Sequence, residues 1–164
     1  GVGTNHPDIT NASRAIKPKE KALCDKNGVK DIIEIVVGND GISFAHSVKA
    51  KDANFTKEQL WRALAHDVDV NGKLVANPYK KWSEINPSYP DIEIRVYGPP
   101  TTSGTRASFA EMVNQKAYCA KDPIAKKASA ARNDKKGKKC RAMRTDGAYV
   151  EAGEQDNLIV QKFQ

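Results

Sequence analysis

The stretch Ile92–Val113 constrains this chain most, because it writes a strand, a turn and a helix start in one line. Ile92, Ile94 and Val96 alternate with polar residues, the period of a strand with one buried face. Pro99 and Pro100 stop that strand, since proline donates no ladder hydrogen bond. Ser103 or Thr105 then caps a helix whose apolar face carries Phe109, Met112 and Val113. Strand, short loop and helix together make the repeating unit of an α/β fold.

The loop itself, GPPTTSGTRASF at Gly98–Phe109, points to a ligand class. Backbone N–H groups at a helix start have no intrahelical partner, and the helix dipole adds partial positive charge there. Ser103, Thr105 and Arg106 bring hydroxyl and guanidinium donors to the same place, a set that suits a tetrahedral oxyanion. The plain alternative is an ordinary capped helix. No GK[ST] follows at P-loop spacing, so an anion is implied without a nucleotide.

The rest of the chain agrees with an α/β class. Asp8–Ser13 reads as a strand end leading into a turn. Lys17–Asn27 reads as a helix, with Pro18 in its first turn and Gly28 beyond its end. The β-branched run Asp31–Val37 and its continuation Ile42–Ala45 flank GNDG, which predicts two strands and a tight turn. Thr56 and Gln59 make a capping box ahead of Leu60, Trp61 and Leu64. Asn71–Gly72 marks a turn, Trp82–Pro90 a loop with two prolines, and Asp156 the cap of a last helix with Leu158, Ile159 and Phe163. No internal repeat is present.

At 164 residues the chain is long enough for one domain with a real core. No apolar run reaches the length of a membrane span. The opening GVGTNHPD lacks the charge and apolar run of a leader, and reads as a processed product or an excised piece. A net charge of +7 raises the question of nucleic acid. The excess sits between Lys116 and Arg144, where acidic residues are confined to Asp122 and Asp134. Tyr118 is the one aromatic there, so stacking platforms for bases are missing and a solvated lysine-rich excursion is the better reading.

Cys24, Cys119 and Cys140 fall in no metal-binding spacing, and His6, His46 and His66 are scattered. Cys119 and Cys140 bracket the lysine-rich excursion, as a disulfide closing a surface loop would; that bridge needs an oxidising compartment. Cys24 is left over. There is no GxSxG, no HExxH and no acid pair at a defensible spacing, so no catalytic constellation emerges.

Four segments carry a family resemblance: DITNASRAI from Asp8, KNGVKDIIEIVVGNDGISFAHS from Lys26, WSEINPSYPDIEIRVYGPPTTSGTR from Trp82, and DGAYVEAGEQDNLIVQKF from Asp146. Together they resemble the periplasmic phosphate-binding proteins of bacterial high-affinity phosphate ABC transporters. The resemblance implies the type II periplasmic-binding fold, two α/β lobes joined by a hinge that close on one phosphate. It also implies an internal portion dominated by the second lobe. Residues 1–46 would be the tail of the first lobe and the hinge strand, and 47–164 the second lobe with a Lys-rich excursion at about 119–144.

Carried over by position, Ser103, Gly104 and Thr105 match the family's SGT phosphate loop, with Arg106 beside them, and Ser13 matches the serine of its ASD or ASR turn. The best-known members follow that serine with an aspartate that accepts the proton of bound phosphate. Here the position is Arg14, so two guanidinium forks, Arg14 and Arg106, would grip the dianion. Preference over sulfate then lacks an acceptor, unless one lies outside these residues. The function implied is binding of inorganic phosphate and delivery to an ABC transporter permease in the periplasm. It involves no catalysis, cofactor, metal, nucleic acid or membrane insertion, and a monomer when complete. The rival readings are a basic nucleic-acid-binding module and a phosphoryl-transfer enzyme using the same cradle.

Overall fold

The computed structural model describes residues 5, 7–12, 14–131 and 138–163. His6, Ser13 and Asp134, named above, lie outside the described residues, as does the part of the lysine-rich excursion at 132–137. The chain is mixed α/β and divides into two compact units, Gly1–Ile42 and Ser43–Gln164.

In Gly1–Ile42 the expected helix forms as α1, Pro18–Lys26. Pro18 suits the first turn because its missing N–H would have no partner there. Glu20 accepts the Lys17 N–H at 2.9 Å. Gly28 closes the end at φ +85°, a left-handed conformation that favours glycine. None of the residues of α1 is buried, so no apolar face holds it.

The strand pair expected at Asp31–Val37 and Ile42–Ala45 does not form: those residues are extended or irregular and in no ladder. The composition favours strand, but a strand exists only against a partner, and none of the described residues pairs with this run. Ile33, Ile35, Val36 and Val37 are 76–96% exposed in consequence.

Ser43–Gln164 holds the core. The Thr56 hydroxyl accepts the Gln59 N–H at 3.2 Å and the Gln59 side chain accepts the Thr56 N–H at 2.8 Å, starting α2, Lys57–Leu64. That helix buries Leu60, Trp61, Ala63 and Leu64. β1, Asp67–Val70, and β2, Lys73–Ala76, form an antiparallel hairpin. Asn71 at φ 52° and Gly72 at φ 77° make the tight turn between them, as the dipeptide predicts. Trp82–Ile85, expected as loop, is instead a helical turn, α3. Glu84 accepts the N–H groups of Lys80 and Lys81, which stabilises that turn's start.

The predicted strand over Ile92–Val96 lies a few residues later, as β3, Val96–Gly98. Ile94 is buried beside it, but its N–H bonds the Lys80 carbonyl at 2.8 Å rather than a ladder partner. The helix after the Gly98 loop is α4, Gly104–Phe109, which continues as wider π-helical turns over Ala110–Cys119. Phe109 and Val113 enter the core on this helix, while Met112 is exposed. Tyr118 stacks on Trp61 with ring centroids 3.8 Å apart.

The lysine-rich excursion carries more structure than its composition implies. α5, Pro123–Ala131, buries Ala125, and a 3₁₀ turn spans Lys138–Arg141. Cys119 and Cys140 are disulfide-bonded, with Cα atoms 5.9 Å apart, and Cys24 is free, both as expected. The arrangement returns to β4, Tyr149–Glu151, which pairs parallel with β3 in the register Val96↔Tyr149 and Gly98↔Glu151. The last helix, α6, is Asp156–Val160; Gln155 occupies the cap position expected of Asp156, which opens the first turn.

Candidate functional site

The carboxyl end of β3 delivers the chain into the Gly98 loop, and α4 starts where the loop ends. The Ser103 N–H bonds the Pro100 carbonyl at 3.0 Å, which tightens the turn. Ser103 is buried and caps the helix, its hydroxyl accepting the Thr105 N–H at 3.2 Å. Gly104 and Thr105 form the exposed first turn, free of acidic side chains. A Cβ on Gly104 would meet nothing within 4 Å, so neighbouring protein atoms do not account for the glycine.

Arg106 is the most constrained side chain here, at 13% exposure. Its NH1 donates to Glu151 Oε1 at 2.6 Å, and its guanidinium carbon lies 4.6 Å from the centre of the Tyr149 ring. A cation over an aromatic face is attracted by the ring's electron density. Tyr149 is fixed in turn by donating its hydroxyl to the Pro99 carbonyl at 2.7 Å, and burial raises the pKa of that phenol. Gly98 makes room for this: a Cβ there would sit 2.5 Å from the Tyr149 hydroxyl.

The structure thus brings Ser103, Gly104, Thr105 and Arg106 together on one turn. Arg14 lies in the other unit, where its NH1 and NH2 donate to both oxygens of Glu20 at 2.9 and 2.7 Å. Ser13 lies outside the described residues. Tyr149 and Glu151 are the site-lining residues that sequence reasoning missed. Their signal is the alternation in Ala148–Glu151, which lacks obvious chemistry until the parallel β3–β4 pairing sets it beside the loop. Among the described residues, no group of three or more His, Cys, Asp or Glu could hold a metal ion. No described helix is long and apolar enough to cross a membrane.

Comparison with known proteins agrees with this architecture. The phosphate-binding protein PstS of Staphylococcus saprophyticus is 34% identical over 113 residues, covering 66% of this chain and 31% of its own length. Protein SphX of Synechococcus elongatus is 32% identical over 109 residues, covering 66% and 30%. PstS of Staphylococcus epidermidis is 34% identical over 109 residues, with the same coverage. The chain therefore spans about a third of the length of the curated relatives it matches. No solved structure matches it. The family model described as a PBP superfamily domain matches residues 2–162, nearly the whole chain, and the protein belongs to that superfamily.

Proposed function

We propose that this chain contributes to an inorganic-phosphate site in a periplasmic transport receptor, which binds its ligand without chemistry and delivers it to an ABC transporter permease. The names of its relatives, phosphate-binding proteins among them, support the ligand. The observation that carries the reading is the first turn of α4. Gly104 and Thr105 expose this turn, the space a Cβ on Gly104 would enter is clear of protein atoms, and Arg106 is clamped beside them by Tyr149 and Glu151. A rigidly held guanidinium beside the positive end of a helix suits a tetrahedral dianion. The family's second lobe is the natural assignment of Ser43–Gln164. Ser13 and Arg14 complete the donor set by resemblance alone.

The test is calorimetric titration of the complete gene product with phosphate. Arg106→Ala is expected to weaken binding by more than about 2 kcal/mol, because a charged donor leaves a largely desolvated site. A loss below about 0.5 kcal/mol would remove Arg106 from the site.

A further inference from the structure

The positive charge of this chain is concentrated rather than spread. Between Cys119 and Cys140 stand seven lysines and one arginine against two aspartates, a net +6 of the whole chain's +7. The bridge between those cysteines closes this segment, with their Cα atoms 5.9 Å apart. Cations just outside the bridge are paired: Lys116 and Arg141 each meet Glu111 at 2.8 Å, and Arg144 grips Asp146. Inside it, Lys121, Lys126 and Lys127 are exposed and form no ion pair among the described residues. Lys126 and Lys127 stand on α5, whose Ala125 is buried and whose start is held by Asp122 Oδ1 accepting the Ala125 N–H at 2.6 Å. An anchored helix thus presents them to solvent.

We propose that Lys121, Lys126 and Lys127, within the loop closed by Cys119–Cys140, form a docking surface for anionic phospholipid headgroups, held there by charge without insertion. The residue types choose that partner. Protein interfaces are poor in lysine and centre on buried aromatic or arginine anchors. Among the described residues from 119 to 140 no large apolar side chain is exposed. Single-stranded nucleic acid is held by stacking on aromatic rings, and Arg forks serve phosphate recognition generally. The segment between the cysteines has no aromatic residue and a single arginine, and the ring of Tyr118 beside it is already stacked on Trp61. Lysine is a compact, hydrated point charge on a flexible stem, which suits a broad field of headgroups with no fixed geometry. The inference goes beyond the phosphate reading and does not depend on it, since these lysines are no part of the Ser103–Arg106 turn.

Sedimentation of the complete gene product with vesicles tests it, using phosphatidylglycerol–phosphatidylcholine against phosphatidylcholine alone at about 0.15 M salt. Binding to the anionic vesicles is expected to be about tenfold tighter or more, and to weaken as salt rises. Lys121→Gln, Lys126→Gln and Lys127→Gln together should cost about tenfold or more, because each lysine near an anionic leaflet is worth about fivefold. Lys19→Gln, Lys21→Gln and Lys26→Gln, at exposed positions of α1, remove the same charge and should cost less than about twofold. Equal losses in the two triple variants would overturn the proposal, because net charge rather than the loop would be the cause. Equal binding to neutral vesicles, or an affinity indifferent to salt, would overturn it as well. A DNA duplex bound as tightly as the anionic vesicles would overturn the choice of lipid. Should the loop triple variant not fold, Lys126→Gln alone is read in the same way, at about fivefold.

Discussion

Each unit carries an arginine forked onto a carboxylate, and the two forks differ in surroundings. Arg14 and Glu20 in Gly1–Ile42 have side chains 50% and 44% exposed. Arg144 in Ser43–Gln164 is 3% exposed; it grips Asp146 and also donates to the carbonyls of Ala63 and Tyr79. Both carboxyls are acidified, Glu20 to about 2 by its hydrogen bond from Arg14, Asp146 well below the usual range by Arg144 and then Lys80. Acidity alone would rank them as similar. Burial separates them: water screens the first pair, while the second keeps a buried cation from standing alone in the core. The apolar residues divide the same way, Trp61, Leu64 and Val68 almost wholly buried and Ile33–Val37 largely in solvent. Stability therefore resides in Ser43–Gln164.

The largest expected effect sharpens that contrast. Trp61→Ala removes a fully buried ring that also stacks on Tyr118, and should cost about 3–5 kcal/mol in urea unfolding of the core unit. A loss under about 1 kcal/mol would break the contrast.

Asp146→Asn comes next, at about 2–3 kcal/mol. The figure is discounted because Asp146 is itself more than a third exposed and Arg144 keeps its two carbonyls. Its pH signature has a defined sign. The folded pKa of Asp146 is depressed, so its contribution is fully present above the ordinary carboxylate pKa near about 4. It is lost as pH falls below that, toward the folded value. Urea midpoints at neutral and acidic pH should show a steeper fall in the wild type than in the variant.

The smallest effect is at the other fork. Glu20→Gln should leave the unfolding midpoint unmoved, since both partners are in water. A shift comparable to that of Asp146→Asn would mean that exposure does not rank these pairs.

The capped elements of this fold were legible in the sequence because their signals are local. Thr56 with Gln59, Pro18 with Gly28, and Asn71–Gly72 each fix their own turn through bonds or dihedrals within a few residues. The strands were less so. Asp31–Val37 has the composition of a strand and no ladder, whereas Val96–Gly98 is short and has one, because pairing depends on residues some fifty positions away. The same distance explains the candidate site. Ser103–Arg106 is one contiguous turn and could be read directly, while Tyr149 and Glu151 reach it only through the β3–β4 register. Glu84's hold on Lys80 and Lys81, which makes a helical turn of an expected loop, is as local as the Thr56–Gln59 box, but lysine is not a residue type that marks a helix cap.

The Cys119–Cys140 bridge lies within the connection from β3 to β4. Parallel pairing must wait until the chain brings Val96 to Tyr149, and nonlocal contacts of this sort set the pace of folding. Once oxidised, the bridge short-circuits the segment between its cysteines, so the path the chain must search is shorter by about twenty residues. Loop-closure entropy grows only logarithmically, which makes the gain a few tenths of about 1 kcal/mol. It falls, however, on the step that brings Tyr149 and Glu151 to Arg106. A bridge formed before sheet closure therefore eases, by that small amount, the pairing that completes the arginine clamp.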